Sequence, residues 1–494
     1  MLYTSTRNNK IRVSAAQAIA QGISEEGGLF VPCEIPQLSL DKISALTDMT
    51  YIQRAKEILK LFLTDFSDEE LNYCVEGAYE KSKFSSEKIA PTVEVGENEY
   101  ILELWHGPTC AFKDMALQLL PYLMTVSAKK TADGKTIVIL VATSGDTGKA
   151  ALEGFKDVDN TKILVFYPVD GVSPMQKLQM TTQEGNNVAV CAINGNFDDA
   201  QSAVKSIFTN GEIKKELAEK NMMFSSANSI NWGRLVPQIV YYFSAYADLV
   251  EQKRINCGDM INFVVPTGNF GNILAAYYAK KMGLPIKKLV CASNSNNVLT
   301  DFLTTGKYNK NRAFYTTTSP SMDILISSNL ERLLYHIGGD NDNLVSDLMS
   351  ALSEKGEYEI SEDMLNSIKS DFDAGFADEN AVLETISINN YLFDTHTAVA
   401  VKVYEDYVSR TNDNIPTVID STASPYKFAK TVLCAKLNKE SIGLDEFESV
   451  KELNKLTGFD IPLPLKALEN KEVRFNNVCN KEDMKQMVFK LLNL

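Results

Sequence analysis

The chain has 494 residues, 45% hydrophobic and 23% charged, enough for two or three domains and a large core. A net charge of −15 excludes nucleic acid and anionic membrane as general partners, but leaves room for a locally positive site that takes an anionic small molecule. Three histidines are little material for a histidine metal site or a Ser-His triad; eight scattered cysteines without a Cys-x-x-Cys pair argue against structural zinc and a disulfide framework and suit a reducing cytoplasm.

The start, Met1-Leu-Tyr-Thr-Ser-Thr-Arg, lacks a charged segment followed by an apolar block, so no secretory leader is expected, and no apolar run approaches the length of a membrane span. Residues 1–96 read as mostly helical: 50–60 carries apolar residues at helical spacing, and Asp68-Glu-Glu-Leu opens another helix with an acidic first turn. Val93-Glu-Val-Gly and Tyr100-Ile-Leu-Glu-Leu suggest a hairpin. Strands and helices then alternate. Apolar strand runs at 136–142, 162–167 and 188–193 are each followed by a helix, at 149–152, 173–183 and 198–208. The pattern resumes with a strand at 260–266, a helix at 273–282 and a strand at 289–293, and later with a strand at 416–420 before a helix at 425–433. Runs apolar on both faces, separated by helices, predict parallel sheets covered on both sides, with ligands beyond the carboxyl ends of the strands. The polar, acidic stretch 338–380 reads as a peripheral helical insertion.

The loops at those strand ends carry the candidate chemistry. In Leu104-Trp-His-Gly-Pro-Thr-Cys-Ala-Phe-Lys113-Asp-Met-Ala, one lysine sits between Phe112 and the apolar Met115, Ala116 and Leu117. Desolvation there would lower its pKa and make the amine nucleophilic, as a Schiff base requires; a snorkelling surface lysine is the alternative. Thr143-Ser144-Gly-Asp146-Thr147-Gly-Lys offers hydroxyls and free N–H groups at a helix start, an anion cradle or a capped glycine turn. It is no P-loop, because Thr143 and Ala150 stand where glycine and Ser/Thr are needed. Gly268-Asn269-Phe270-Gly271-Asn272 lets backbone approach a phosphate at a helix N-terminus, yet lacks the dinucleotide pattern. Asn228-Ser229-Ile-Asn-Trp-Gly-Arg234 precedes an apolar helix at 235–247; its arginine would grip a phosphate, or merely follow a capped helix start. Thr422, in Asp420-Ser-Thr-Ala-Ser-Pro, would offer a hydroxyl to a heteroaromatic nitrogen or cap a helix. A lysine nucleophile, a phosphate cup, a hydroxyl for a ring nitrogen and a second anion site are together the parts needed for pyridoxal-phosphate chemistry.

The segments His106-Gly-Pro-Thr-Cys-Ala-Phe-Lys-Asp, Thr143-Ser-Gly-Asp-Thr-Gly, Asn228-Ser-Ile-Asn, Gly268-Asn-Phe-Gly, Ser319-Pro-Ser-Met-Asp-Ile and Thr422-Ala-Ser-Pro-x-Lys-Phe resemble the threonine synthase family in order and spacing, over essentially the whole chain. The longer bacterial and fungal type is suggested by Gly28-Leu-Phe-Val-Pro. The resemblance implies a fold-type II pyridoxal-phosphate enzyme of the α/β class, similar to tryptophan synthase β: two doubly wound α/β domains and a helical N-terminal region. The division it suggests is 1–96 for that region, 97–134 with 226–494 for the large cofactor-binding domain, and 135–225 for the small one. It further implies that Lys113 links to the cofactor and shuttles protons, Gly268 to Asn272 hold the cofactor phosphate, Thr422 faces the pyridine nitrogen, and Asp146 lies near the ring hydroxyl. Thr143, Ser144 and Thr147 would meet the substrate carboxylate or its surroundings; Asn228, Ser229, Arg234 and Asn272 would hold the substrate phosphate. A carboxylate beside a phenolate predicts a shifted pKa at Asp146. The implied reaction turns O-phospho-L-homoserine and water into L-threonine and phosphate, the last step of threonine biosynthesis, in a cytoplasmic monomer with no metal, nucleic-acid or membrane partner. A serine/threonine dehydratase has no substrate phosphate for Arg234 to hold, and a non-catalytic phospho-ligand binder has no need of Lys113.

Overall fold

The computed structural model describes residues 1–131, 134–143, 145–170 and 172–492. Two sheets organise them. The larger has six strands in the order Phe372–Phe376, Ile286–Ser293, Ile261–Pro266, Thr417–Ser421, Glu99–Glu103 and Thr92–Gly96. Its pairs are parallel except the last, the expected hairpin, which forms one edge. The smaller sheet is parallel throughout, ordered Asn477–Asn480, Val188–Asn194, Thr161–Pro168, Thr136–Ala142 and Met222–Ser225. Its central strands are buried on both faces, with Val138, Leu140 and Leu164 in one core and Ile137, Ile139 and Val165 in another. That is why they read as continuous apolar runs.

Three segments depart from the sequence reading. The N-terminal region is mainly helical but opens with a three-stranded antiparallel sheet of Tyr3–Ser5, Asn8–Val13 and Phe30–Pro32, whose polar middle strand hid the pattern. The stretch 338–380 is not wholly a peripheral helical insertion: after the helices Asp342–Glu354 and Glu362–Asp371 it supplies Phe372–Phe376, the other edge of the large sheet. Half-buried and glycine-containing, this edge strand lacks the apolar run of its neighbours. The chain's last part does not stay with the large domain either. Asn477–Asn480 pairs with Val188–Asn194, and Met484, Val488 and Leu492 pack into the small sheet's core.

The helix Trp232–Glu251 is buried from Trp232 through Leu249 and joins the units. Tyr3 and Phe62 of the N-terminal region stack near Trp232, with ring centroids 5.3 and 5.7 Å away. Arg332, fully buried, donates to the carbonyls of Phe30 (2.9 Å) and Ile230 (2.5 Å) and to the Asn329 side chain, tying the N-terminal sheet to two loops of the site. The helix Asp146–Phe155 lies so close to the segment after Lys113 that a Cβ on Gly154 would meet the Leu117 carbonyl at 1.9 Å. Only glycine allows that approach.

Candidate active site

Lys113 lies just before the short helix Asp114–Leu117. Its loop is pinned to the end of the strand Thr417–Ser421 by a bridge between Ala111 and Ala423 and by the Phe112 N–H donating to the Thr422 carbonyl at 2.8 Å. Beneath, the buried Asp114 carboxylate accepts from the Thr109 N–H (2.8 Å) and hydroxyl (2.7 Å), closing the turn. Burial pushes Asp114 up to about 6, against those hydrogen bonds. Lys113, Asp146 and Thr422 line one small cavity with Phe112, Ser321, His396 and Ala423. The Lys113 amine donates to Ser321 Oγ at 3.0 Å and lies 3.8 Å from Asp146 Oδ2. Burial pulls its pKa down to about 8; Asp146 opposes this, while Arg234 and Lys427 add to it. The surface-lysine alternative is thereby excluded. The neutral, nucleophilic amine should therefore grow in with a midpoint near pH 8, below a lysine's ordinary range. Reductive methylation of the apoenzyme across pH, with Lys113 followed by peptide mass spectrometry, checks this; a midpoint no lower than that of exposed lysines would contradict it.

Asp146 has a partner that the sequence reading missed. Lys427, 1% exposed, places its ammonium 2.7 Å from Asp146 Oδ1 and donates to the Thr109 carbonyl at 3.0 Å. Burial would raise Asp146, but Lys427 and then Lys113 outweigh it, and hydrogen bonds from Lys427 and Gln176 (3.0 Å) add to the effect, so the carboxyl sits well below the usual range. The expected shift thus runs downward, towards a permanent carboxylate. The signal was present in Tyr426-Lys427-Phe428, a lysine between aromatics like the one after Phe112.

The loop from Gly268 to Asn272 has the form of a phosphate cup. Ser327 Oγ donates to the Gly268 carbonyl (2.8 Å), and the Asn329 N–H (3.1 Å) and Nδ2 (3.0 Å) donate to that of Asn269. Each trans peptide then points its N–H, those of Asn269 and Phe270, the opposite way. Phe270 takes left-handed φ 60°, a strained conformation held at the start of the helix Gly271–Lys281. A Cβ on Gly268 would meet the Ser321 carbonyl at 2.5 Å. The Asn272 side chain does not join the cup. It donates to Asp420 Oδ2 (3.0 Å) and accepts from Tyr242 (2.7 Å) and Tyr241, because a buried amide must satisfy its own groups. Only its backbone remains for a phosphate. Burial pushes Asp420 in that network up to about 7, against hydrogen bonds from Tyr242 and Asn272.

Arg234 stands in the first turn of the helix Trp232–Glu251, whose N-cap Asn231 accepts from the Gly233 N–H at 2.8 Å and donates to Ile19 and Ser226 carbonyls. The guanidinium is buried, bonded to the Ala227 carbonyl at 2.9 Å and to Thr147 Oγ1 at 3.5 Å. Among the described residues no carboxylate pairs with it, and burial brings its pKa down to about 10, so it stays cationic at neutral pH. Asn228 and Ser229 are half-buried in the preceding loop, Ser229 Oγ 3.5 Å from Ser328 Oγ. Thr143 does not take the role expected of it: its hydroxyl accepts from the Gly145 and Gly148 N–H groups, both at 3.0 Å, and donates to the Gly145 carbonyl at 3.1 Å. It braces the loop and is not free for a substrate carboxylate. Ser144 lies outside the described residues.

A buried lysine of lowered pKa beside a glycine-rich loop and a threonine hydroxyl, at the strand ends of two α/β units, is the arrangement expected of the fold-type II pyridoxal-phosphate class. Profiles of known families match in succession: "Threonine synthase N terminus" over residues 2–79, "Pyridoxal-phosphate dependent enzyme" over 86–350 and "Threonine synthase, C-terminal" over 397–488. Threonine synthase of Saccharomyces cerevisiae is 35% identical, with 98% of each chain covered. Human threonine synthase-like 1 is 41% identical over 86% of this chain, which spans 58% of that longer protein. A crystal structure of pyridoxal-phosphate-bound threonine synthase from Brucella melitensis superposes with a TM-score of 0.88, at 37% identity and 99% coverage of both chains. The chain belongs to the threonine synthase family, and its cofactor is pyridoxal phosphate.

Proposed function

We propose that the protein is a threonine synthase, converting O-phospho-L-homoserine and water to L-threonine and phosphate. The observation that carries this reading is Arg234: a buried guanidinium, without a carboxylate partner among the described residues, close enough to Lys113 to depress its pKa. A desolvated cation left so is costly unless an anion arrives, and a substrate phosphate is that anion. The positive end of the helix Trp232–Glu251 adds to the attraction. A dehydratase substrate brings no such group.

When bound, the cofactor supplies an electron sink for negative charge at the substrate's α-carbon. The chain's own residues do the rest. The Gly268–Asn272 backbone would receive the cofactor phosphate, the Thr422 hydroxyl would serve the ring nitrogen, and Asp146 would lie near the ring hydroxyl. Lys113 Nζ, its amine accessible near its lowered pKa, takes protons in turn from the substrate's Cα and Cβ, the second removal expelling phosphate from Cγ; it returns one at Cγ and, once water has added at Cβ and given its own proton to the phosphate, the other at Cα. Arg234 and Thr147, with Asn228 and Ser229, hold the phosphate before and after its bond to Cγ breaks, which places it beside the water that adds at Cβ. Eight cysteines, all free thiols, suit the cytoplasm as the site of this reaction, and no helix among the described residues is long and apolar enough to cross a membrane.

The test measures phosphate and threonine together from O-phospho-L-homoserine with the cofactor-loaded enzyme. Equal amounts, both absent in Lys113→Ala, are expected. Phosphate with 2-oxobutyrate in place of threonine would show an eliminase instead, and no turnover would show that Arg234 holds a different anion.

A further inference from the structure

The segment Ser319-Pro-Ser-Met-Asp-Ile belongs to the resemblance, yet nothing above gives it a task. In the fold its Ser321 lines the cavity beside Lys113, with the Ser321 carbonyl against Gly268. Ser321 Oγ accepts from Lys113 Nζ at 3.0 Å, and the Ser321 N–H donates to His396 Nε2 at 3.2 Å. His396, in the first turn of the helix Thr395–Thr411, has its Nδ1 2.9 Å from Asp394 Oδ1. The Asp394 carboxylate is fully buried and also takes the His396 N–H (2.9 Å) and the Thr397 hydroxyl. With Nδ1–H directed at the carboxylate, Nε2 must be the bare nitrogen, which is what an incoming backbone N–H requires.

We infer that Ser321 is a catalytic residue that holds the Lys113 amine whenever it is free, and that Asp394 and His396 are positioning residues that fix Ser321 for this. The physical reason lies in which atoms the hydrogen bond uses. The neutral amine spends an N–H on Ser321 Oγ, so its lone pair stays available and the long side chain keeps one rotamer. A mobile lysine would have to find its geometry again in every cycle. Backbone strapping through His396 keeps the hydroxyl from following the lysine, and the Asp394 bond keeps the imidazole in the accepting tautomer. Lys427 cannot substitute, since its ammonium is committed to Asp146 and Thr109.

The inference deepens the reading of this same site, but its first readout uses no substrate, so it stands or falls separately from the identity of the reaction. The apoenzyme is mixed with pyridoxal phosphate, and capture by Lys113 is timed by the absorbance of the bound cofactor. Ser321→Ala and His396→Leu should each slow capture at least about fivefold, while cofactor content at saturation stays at the wild-type value and Ser321→Ala keeps the wild-type thermal midpoint. His396→Gln, whose amide oxygen can accept the Ser321 N–H, should recover most of the rate. In the loaded enzyme, exchange of the substrate's α-proton with solvent should fall about 10–100-fold in the two slow variants, with KM nearly unchanged. Wild-type capture in Ser321→Ala would overturn the inference. So would equal slowing in His396→Leu and His396→Gln, or a loss of cofactor content in step with the rates, which would mark a purely structural role.

Discussion

Lys427→Met should cost about 3–5 kcal/mol of stability and slow turnover near neutral pH by about tenfold or more. Methionine fills the space of the lysine stem, so packing is largely kept. What is lost is the cation 2.7 Å from Asp146 Oδ1, and a fully buried carboxylate is left with Lys113 and Gln176 as its remaining partners. Lys113 then becomes the counter-ion. Two influences on its amine change in the same direction, because Lys427 no longer repels a proton there and Asp146 attracts one unopposed. The midpoint near pH 8 should climb back towards the ordinary lysine range, and each unit of that climb removes about nine-tenths of the neutral amine at lower pH. Asp146→Asn alone errs the other way, leaving Lys427 buried without an anion, and it should also change the absorbance–pH profile of the bound cofactor. Asp146→Asn with Lys427→Met removes both charges and should regain much of the stability that either variant loses. Urea denaturation of the four proteins forms the cycle; additive losses would show that the pair is not coupled.

The same pair shows what sequence can and cannot disclose. Lys113 was legible because it stands inside a local pattern: an aromatic before it, an apolar helix after it, glycine and proline in the turn. The strands at 136–142, 162–167 and 188–193 were legible for a like reason, since burial on both faces leaves a continuous apolar run. Lys427 carried a similar local signal, but its meaning depends on Asp146; one follows a strand of the large sheet and the other a strand of the small sheet, and only tertiary packing brings the two together. His396 and Asp394 met the same obstacle. His336 and His396 could have served structure or function equally well until Ser321 was placed beside one of them. Edge strands failed differently. Phe372–Phe376 and Asn477–Asn480 are short and partly polar, because an edge has one unpaired side and is not pressed to be apolar on both faces. Their place in the sheets comes from tertiary pairing, which no periodicity records. The family resemblance implied a ligand for Thr143; the bonds of its hydroxyl to Gly145 and Gly148 are the local competition that short polar side chains offer.

Arg234→Leu should separate activity from stability in the direction opposite to Lys427→Met. Leucine removes a buried guanidinium that has no carboxylate to lose, so no orphaned anion remains; the hydrogen bond to the Ala227 carbonyl is the main structural loss. The unfolding free energy should therefore fall by no more than about 1 kcal/mol, or rise, as often happens when a functional charge is taken out of a core. The activity should not survive so well. Two charge-assisted hydrogen bonds to a phosphate, at about 1.5–3 kcal/mol each, put the loss in kcat/KM at roughly 10²–10⁴-fold. Lysine should restore little of it, because a single ammonium cannot present the planar pair of N–H donors and its stem has no partner for the Ala227 carbonyl contact. Inorganic phosphate gives a readout without turnover. Binding to the folded state alone raises the thermal midpoint, so in cofactor-loaded protein, where the Gly268–Asn272 loop is already filled, phosphate should stabilise the wild-type enzyme and leave Arg234→Leu where it was. Equal stabilisation of both would move the substrate phosphate away from Arg234, and with it the reason for preferring a phosphorylated substrate over a hydroxylated one.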